Sequence, residues 1–285
     1  MLSKSYSLPK IIFLDIDDTL YIKDEQRIPQ SVKPALLALK NQGVLLAIAT
    51  GRSLGIIPTA VRKLIDEVGI DYLLTMNGQY NEFAGKKLFD FPLQYQQAKK
   101  ILEVFEHHNI ATAFMTRAEI FCFNQNHNLK TALGALDITP QPANKETFDF
   151  HQPIYQILAF YEDHEAEKII LPPDIKTTRW HRYAVDVLDY QSSKARSIAR
   201  LLNQLNISKS GAVAFGDGLN DMEMFKLVGA AIAMGNAHPM LKQHAHIICP
   251  RHDQDGIEKN FKSAKLDLIN PQTKPPFASA KRGLK

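Results

Sequence analysis

The sequence contains only two cysteines, Cys122 and Cys249, among its 285 residues. Small secreted domains depend on several disulfides, so this class is excluded and both thiols are expected to be buried in a cytoplasmic protein. No apolar run approaches the roughly 20 residues that span a bilayer. Residues 1–10 also lack the apolar stretch of a secretory leader. The sequence therefore predicts a cytoplasmic protein with no membrane partner.

The sequence also has little excess of positive over negative charge. The chain has 34 Lys and Arg against 30 Asp and Glu, a formal net charge of +4, and much of this excess lies in residues 273–285. The rest of the sequence shows no clustered basic face and no nucleic-acid-binding motif, so no nucleic-acid partner is expected. Residues 271–285 are predicted to be a disordered basic tail. The other residues are numerous and apolar enough for one α/β core with an insert.

Two carboxylates follow the first apolar segment of the chain. Ile11–Leu14 is short and rich in β-branched and aromatic residues, which favours a buried strand of a parallel sheet. Asp15 and Asp17 come at its carboxyl end, where open α/β sheets bind ligands. Paired carboxylates offer the hard oxygen ligands that suit Mg²⁺, and a free oxygen of Asp15 can act as a nucleophile. Taken alone, the same pattern also fits a loop start or a helix cap.

Two further segments end in groups that bind anions. Thr50 and Gly51 follow an apolar strand and offer a hydroxyl and an open backbone N–H to a phosphoryl oxygen, although Thr-Gly alone is usually a turn. Lys194 lies in the first turn of a helix that Ser192 or Ser193 can cap. A cation at this position is repelled by the positive end of the helix dipole, so its placement there is explained if an anionic ligand binds nearby. The alternative for Lys194 is a solvated surface position.

A third apolar strand, at 212–215, leads into a second group of polar side chains. Asp217 is placed to complete a metal site, and Asp221 falls on the same face once a helix has begun. Asn220 offers an amide to a phosphate or to the loop. Similar acid pairs occur in turns and in calcium loops, but the distal Glu of an EF-hand is missing here.

In this order, the segments resemble the four motifs of the haloacid dehalogenase (HAD) superfamily. A closer likeness to Cof-type, class IIB phosphatases is carried by residues 75–80, 216–237 and 253–259. Asp18 departs from the pattern, since many relatives have glycine there. The resemblance implies a nucleophile, Asp15; a general acid and base, Asp17; phosphate-binding residues Ile16, Thr50, Gly51, Lys194 and Asn220; and Mg²⁺ ligands Asp15, Asp17 (through its backbone carbonyl), Asp217 and Asp221.

The resemblance also implies an α/β fold with a Rossmann-like parallel-sheet HAD core and an inserted α+β cap of the C2B type. The predicted limits are 1–79 and 190–270 for the core and 80–189 for the cap. Patterns in the insert predict a hairpin turning at 84–86, helices at 94–108 and 165–170, and strands at 111–115, 120–123, 154–161, 177–180 and 183–188. Such a cap is expected to close over the site and select the substrate.

The function implied is a Mg²⁺-dependent phosphatase that hydrolyses small phosphorylated metabolites through a phospho-aspartate. A sugar phosphate, pyridoxal phosphate or a flavin nucleotide is expected as substrate, and a monomer or homodimer as the assembly. Two alternatives stay open: a phosphomutase on the same scaffold, and a noncatalytic sensor, which has no use for a nucleophile. Five cap residues can face the ester, although a structural role is favoured for each: Arg117, Trp180, His181, Arg182 and Tyr183.

Overall fold

The strands form two sheets in the computed structural model, which describes residues 8–263. The strands are β1 (Ile11–Leu14), β2 (Leu45–Ala49), β3 (Tyr72–Thr75), β4 (Tyr80–Phe83), β5 (Lys86–Asp90), β6 (Ala111–Met115), β7 (Ile120–Cys122), β8 (Gln141–Pro142), β9 (Gln156–Phe160), β10 (Ile175–His181), β11 (Ala184–Asp189), β12 (Ala212–Gly216), β13 (Ala230–Ala233) and β14 (Ile247–Ile248). The helices are α1 (Val32–Asn41), α2 (Thr59–Val68), α3 (Tyr95–His107), α4 (His127–Gly134), α5 (Asp163–Ala166), α6 (Lys194–Gln204), α7 (Met222–Leu227), α8 (Pro239–Lys242) and α9 (Gly256–Ser263).

The larger sheet has the order β14-β13-β12-β1-β2-β3-β4-β5, and its strands from β14 to β3 are parallel. Every residue of β1 is fully buried, because apolar clusters cover both faces of the sheet. The predicted buried parallel strand is confirmed. In the register, Leu14 lies between Ile48 of β2 and Phe215 of β12, so the chain segments that follow all three strands emerge at one edge.

The hairpin of β4 and β5 turns at Ala84 and Gly85, as predicted, but it belongs to the larger sheet. β4 pairs antiparallel with β3, with Tyr72 opposite Phe83, whereas the hairpin was predicted to lie in the insert, from residue 80 onward. Alternating polar and apolar residues reveal a hairpin but not the sheet that it joins. Here the turn after β3 is so tight that the next strand returns beside it.

The second sheet lies in the insert and has the order β10-β11-β9-β6-β7-β8. Its long strands are antiparallel, and this mixed sheet with its helices bears out the predicted α+β cap on an α/β core. Helix α3 was predicted to within one residue at each end. Helix α4 was missed, although Asn126 caps it by accepting from Leu129 N at 2.9 Å. Helix α5 begins earlier than predicted because Glu162 and Glu165 form its capping box.

Both cysteines are buried and free of disulfides. Among residues 8–263, no helix combines the length and the apolar character that a membrane crossing requires. The tail predicted at 271–285, and the last part of the predicted core, lie outside the described residues.

Candidate active site

Asp15 stands at the edge where β1 ends. Its backbone N–H donates to the carbonyl of Phe215 on β12 at 3.2 Å, so the parallel pairing continues one residue beyond the strand and holds the carboxylate in place. The residue is only 6% exposed. Burial, together with the charges of Asp221 and Asp17, raises the pKa of Asp15 to about 7 despite the opposing effect of Lys194.

Lys194 provides the positive charge of the site. Ser193 caps α6 by accepting from Arg196 N at 3.1 Å, and this directs the first helical residue towards β1. Lys194 is fully buried, and its Nζ donates to Asp15 Oδ1 at 2.5 Å and to Asp221 Oδ1 at 2.6 Å. Although burial opposes the charged form, the two carboxylates raise the pKa of Lys194 above its usual value. Lys194 is therefore a buried cation in the site and not a surface lysine.

Asp217 and Asp221 enter the same site after β12. The second carboxylate oxygen of Asp221 accepts from Asp217 N at 2.9 Å and from Gly218 N at 3.0 Å. This closed loop needs glycine at Gly216, where a β-carbon would collide with the Asp221 carboxylate. Burial, Asp15 and Asp221 raise the pKa of Asp217 well above its usual value.

Three of the four acids predicted as metal ligands meet in one group. Carboxylate oxygens of Asp15, Asp217 and Asp221 all lie within 4.8 Å of one another. Three crowded acids with a single lysine leave excess negative charge, so the group could hold a hard cation. The carboxylate of Asp17, by contrast, is not part of this group, which leaves only its backbone carbonyl for the predicted role.

Arg52 binds the carboxylate of Asp17. Its Nε and Nη2 each donate to one Asp17 oxygen at 2.8 Å, and Nη1 donates to the carbonyl of Ile56. This bidentate pairing is a strong, directional contact. Arg52 itself is 7% exposed, and the Asp17 carboxylate raises the pKa of its guanidinium against the effect of burial. Arg52 was not predicted to have a role, although it directly follows the Thr-Gly pair.

The residues predicted to bind phosphate line the same edge. Thr50 is buried, and its hydroxyl accepts from Arg52 N at 3.1 Å, which shapes the turn at Gly51. Asn220 lies beside Gly51 and faces the cavity. The side chain of Ile16 is fully buried in the core, so only its backbone is left for a ligand. Gly51 and Asn220 thus line the same cavity as Asp15, and Lys194 contacts Asp15 directly.

Asn77 connects this edge to the second sheet and was missed as a functional residue. Its Oδ1 accepts from Asn220 at 3.2 Å, while Nδ2 donates to Gln156 Oε1 at 3.2 Å and to Asp186 Oδ2 at 3.0 Å. Met76 and Asn77 both have left-handed backbone angles, with φ of +50° and +52°. Burial raises the pKa of Asp186 to about 7, although Asn77 and Trp180 lower it. The sequence TMNG at residues 75–78 could have indicated this tight turn, since Asn tolerates left-handed backbone angles.

A cavity of about 630 Å³ lies between the sheet edge that carries Asp15 and the second sheet. Asp15, Asp17, Asp217 and Asn220 line one side, and residues of β9, β10, β11 and α4 line the other. Trp180 and His181 face this cavity. Arg117 instead pairs with Glu82, and Arg182 with Glu162, while Tyr183 is not among the lining residues. Two of the five candidate cap residues therefore lie at the site.

The pH dependence of stability tests the burial of Asp186. In the folded protein, the Asp186 carboxyl stays protonated up to about pH 7, because its pKa is about 7. In an unfolded chain, the same carboxyl has its usual pKa of 3.8 and loses its proton near that pH. Asp186 should therefore lower the free energy of unfolding as the pH rises from about 4 to 7, by on the order of 3 kcal/mol. In Asp186→Asn, this loss should be absent. Urea unfolding from pH 4 to pH 8 should show a difference from wild type that grows up to pH 7; a constant difference would contradict the assignment.

The chain is similar to known proteins of one family. A family model described as haloacid dehalogenase-like hydrolase matches residues 12–261. The chain is 33% identical over 258 residues to the putative phosphatase YkrA of Bacillus subtilis (strain 168), covering 90% of this chain and 98% of that protein. It is 24% identical to pyridoxal phosphate phosphatase YbhA of Escherichia coli (strain K12), with 87% and 96% covered.

A solved structure gives the same result for the fold. The HAD subclass IIB sugar phosphatase BT4131 superposes with a TM-score of 0.81 at 26% identity, over 90% of this chain and 99% of that one. The family match spans nearly all the described residues, and the gathered acids and lysine lie beneath a second sheet as in a capped enzyme. The chain therefore belongs to the haloacid dehalogenase-like hydrolases, as a Cof-type, subclass IIB phosphatase that acts on small phosphorylated metabolites.

Proposed function

We propose that the protein hydrolyses phosphate monoesters with Mg²⁺ as its cofactor and with Asp15 as the nucleophile that is transiently phosphorylated. The observation that supports this most is the meeting of Asp15, Lys194, Asp217 and Asp221 at one sheet edge. Bound Mg²⁺ would stabilise negative charge on the transferring phosphoryl group and would be held by the three acids. An all-carboxylate donor set fits this hard cation.

In the first step, a carboxylate oxygen of Asp15 forms a bond to phosphorus, and the bond to the ester oxygen breaks. Lys194 holds Asp15 Oδ1, fixes the orientation of the carboxylate and offers positive charge to the phosphoryl oxygens. Thr50, the Gly51 N–H and Asn220 would hold those oxygens in line with the leaving group. Asp17 donates a proton to the departing ester oxygen.

In the second step, a water oxygen attacks phosphorus, Asp17 accepts the proton of that water, and the bond between Asp15 and phosphorus breaks to release inorganic phosphate. Asp17 needs a free oxygen for both transfers, yet Arg52 binds both of its oxygens here. At least one of these hydrogen bonds must therefore break during turnover. Arg52 would then serve to return Asp17 to one position between the two steps.

The substrate range proposed comprises sugar phosphates, pyridoxal phosphate and flavin nucleotides. Relatives described as a sugar phosphatase and as a pyridoxal phosphate phosphatase support the first two. A cavity of about 630 Å³ has room for a small metabolite of this kind. The intact set of nucleophile, lysine and acids argues against a noncatalytic sensor. A phosphomutase would differ by needing a bisphosphate activator and by releasing little phosphate.

Removal of the metal should silence the enzyme reversibly. Treatment with a chelator leaves three clustered carboxylates without their divalent counter-charge, so release of phosphate from a generic aryl phosphate should fall by at least about 10³-fold. Adding Mg²⁺ in excess should restore the rate. Phosphate release measured before, during and after chelation makes the comparison within one sample. Full activity in the chelated protein would refute metal dependence, and slow release that a sugar bisphosphate accelerates would indicate the mutase.

A further inference from the structure

The turn between β3 and β4 contacts three of the segments that are predicted to hold the phosphoryl group. In the segment after β2, the carbonyl of Thr50 accepts from the N–H of Asn77 at 3.0 Å. At the start of α6, Gly78 lies so close to Ser197 that a β-carbon on the glycine would collide with that side chain. In the loop after β12, Asn220 Nδ2 donates to Asn77 Oδ1 at 3.2 Å. The turn thus lies where these three segments meet.

The side-chain amide of Asn77 is held in one orientation. It is 3% exposed, and its Nδ2 donates to Gln156 Oε1 at 3.2 Å and to Asp186 Oδ2 at 3.0 Å. A neutral carboxyl keeps one oxygen that accepts, so the second bond does not require Asp186 to be charged. Turning the amide over would place its oxygen against Gln156 Oε1 and its nitrogen against the donor of Asn220. These contacts ensure that Asn77 presents an acceptor to Asn220.

The amide of Asn220 is oriented in turn by that acceptor. Its Oδ1 lies against Gly218, where a β-carbon would collide with it, and its Nδ2 lies beside Gly51. Nδ2 carries two protons, and Asn77 accepts one of them, so the other is left for a phosphoryl oxygen near the Gly51 N–H. The oxygens of an ionised phosphate only accept, and an overturned Asn220 amide would therefore repel them. The hydrogen bond to Asn77 prevents this reversal.

We infer that Asn77 is a positioning residue for phosphoryl transfer, which keeps an N–H of Asn220 directed at the phosphoryl group and is itself held by Asp186 and Gln156. Asn77 acts on the phosphate through Asn220 and is not a catalytic residue. This inference rests on the proposed phosphatase function and on the placement of Asn220 at the phosphate. Because the phosphate is common to all substrates, the effect of Asn77 should not depend on the leaving group.

Asn77→Gly is the direct test, since glycine adopts the left-handed angle of this position, φ +52°, without strain and leaves Asn220 without its acceptor. Calorimetry on the purified full chain with Mg²⁺ should show the Kd of inorganic phosphate raised by about 10-fold, because a charge-assisted hydrogen bond is misdirected. The value of kcat/KM should fall by a similar factor for p-nitrophenyl phosphate and for glycerol phosphate. Asn109→Gly is the matched control, because Asn109 is exposed and has a φ of +54°; it should change neither value.

Combination with Asn220→Ala separates positioning from a merely structural role. Asn220→Ala removes the amide itself and should raise the Kd of phosphate by about 10- to 100-fold. Adding Asn77→Gly should cause less than about a twofold further rise, because Asn77 then has nothing left to orient. A structural role would instead raise the Kd of the double variant by the product of the two single effects.

Two variants of Asp186 test how the second sheet holds Asn77, and they do not depend on the folding of Asn77→Gly. Asp186→Asn keeps an oxygen that can accept from Asn77, so the Kd of phosphate should stay within about threefold of wild type. Asp186→Leu has no acceptor and should raise the Kd by about 5- to 10-fold. In the background of Asn220→Ala, Asp186→Leu should have no further effect.

An unchanged Kd of phosphate in Asn77→Gly, a multiplied loss in the double variant, or equal effects of Asp186→Asn and Asp186→Leu would overturn the inference. Failure of the proposed function has a different signature: wild type would bind phosphate but release none from either ester in the presence of Mg²⁺. The Kd values would still decide the role of Asn77 in that case. A wild type that binds no phosphate would refute both.

Discussion

Replacing Asp15 by Asn is expected to abolish phosphate release while leaving the protein folded. An amide is too weak a nucleophile to form the bond to phosphorus, and loss of a nucleophile typically costs on the order of 10⁴- to 10⁶-fold in rate. Asn has nearly the same shape, and its oxygen can still accept from Lys194, which lies 2.5 Å from Asp15 Oδ1. The loss should therefore appear in kcat with every ester tried, whatever its leaving group.

The same substitution should increase stability at neutral and alkaline pH when no metal is added. The pKa of Asp15 is about 7 in the folded protein, above its usual value of 3.8, so the free energy of unfolding of wild type falls as the pH rises between these values. Asn carries no charge and removes this dependence. Thermal unfolding of Asp15→Asn at pH 8 without Mg²⁺ should thus show a higher midpoint than wild type, and the gain should shrink as the pH falls towards 4.

A control separates these effects from a general change of charge. Asp66→Asn removes an exposed carboxylate on α2 and should alter neither the rate nor the unfolding midpoint. Persistent phosphate release by Asp15→Asn would show that the nucleophile is wrongly assigned. A fall in stability at pH 8 would show instead that the carboxylate is stabilised by its partners more than it is penalised by burial.

The catalytic edge could be predicted because each of its parts follows a simple local signal. Asp15 and Asp217 come directly after buried strands, and parallel strands bring their carboxyl ends together. Lys194 was predicted from a helix start, and its hydrogen bonds to the carboxylates of Asp15 and Asp221 now explain why a cation lies near the positive end of a helix. Asp18 takes a left-handed angle, φ +53°, which is a backbone conformation that glycine adopts without strain, so the departure expected at this position from the family resemblance has a local physical reason.

Contacts between segments far apart in sequence could not be predicted in this way. Asn77 meets Asp186 across 109 positions, and Arg52 meets Asp17 across 35; neither pairing leaves a periodic pattern in the chain. The sheet that receives the β4–β5 hairpin is likewise a tertiary choice. Helix α4 is too short for its apolar spacing to stand out. The leaving-group side of the cavity depends on such contacts, which is why its residues were undecided from sequence.

Replacing Lys194 by Met should impair both folding and catalysis. Met keeps the length and apolar stem of the side chain, but it leaves Asp15 and Asp221 buried without the cation that now binds each of them. Removing one partner of a buried ion pair typically costs about 3–5 kcal/mol. Activity should fall by at least about 10³-fold, because the charge near the phosphoryl oxygens is lost as well.

Conditions that neutralise the carboxylates should partly rescue the stability of Lys194→Met, and this distinguishes a charge effect from poor packing. Lower pH allows the acids to take up protons, and Mg²⁺ supplies positive charge to the group of Asp15, Asp217 and Asp221. The unfolding midpoint of the variant should therefore approach that of wild type near pH 5, or at pH 8 with excess Mg²⁺, without recovery of activity. Lys226→Met, at an exposed position of α7, is the matched control and should behave as wild type. A deficit that is the same at every pH and Mg²⁺ concentration would point to packing and would contradict the role of Lys194 as the buried counter-charge.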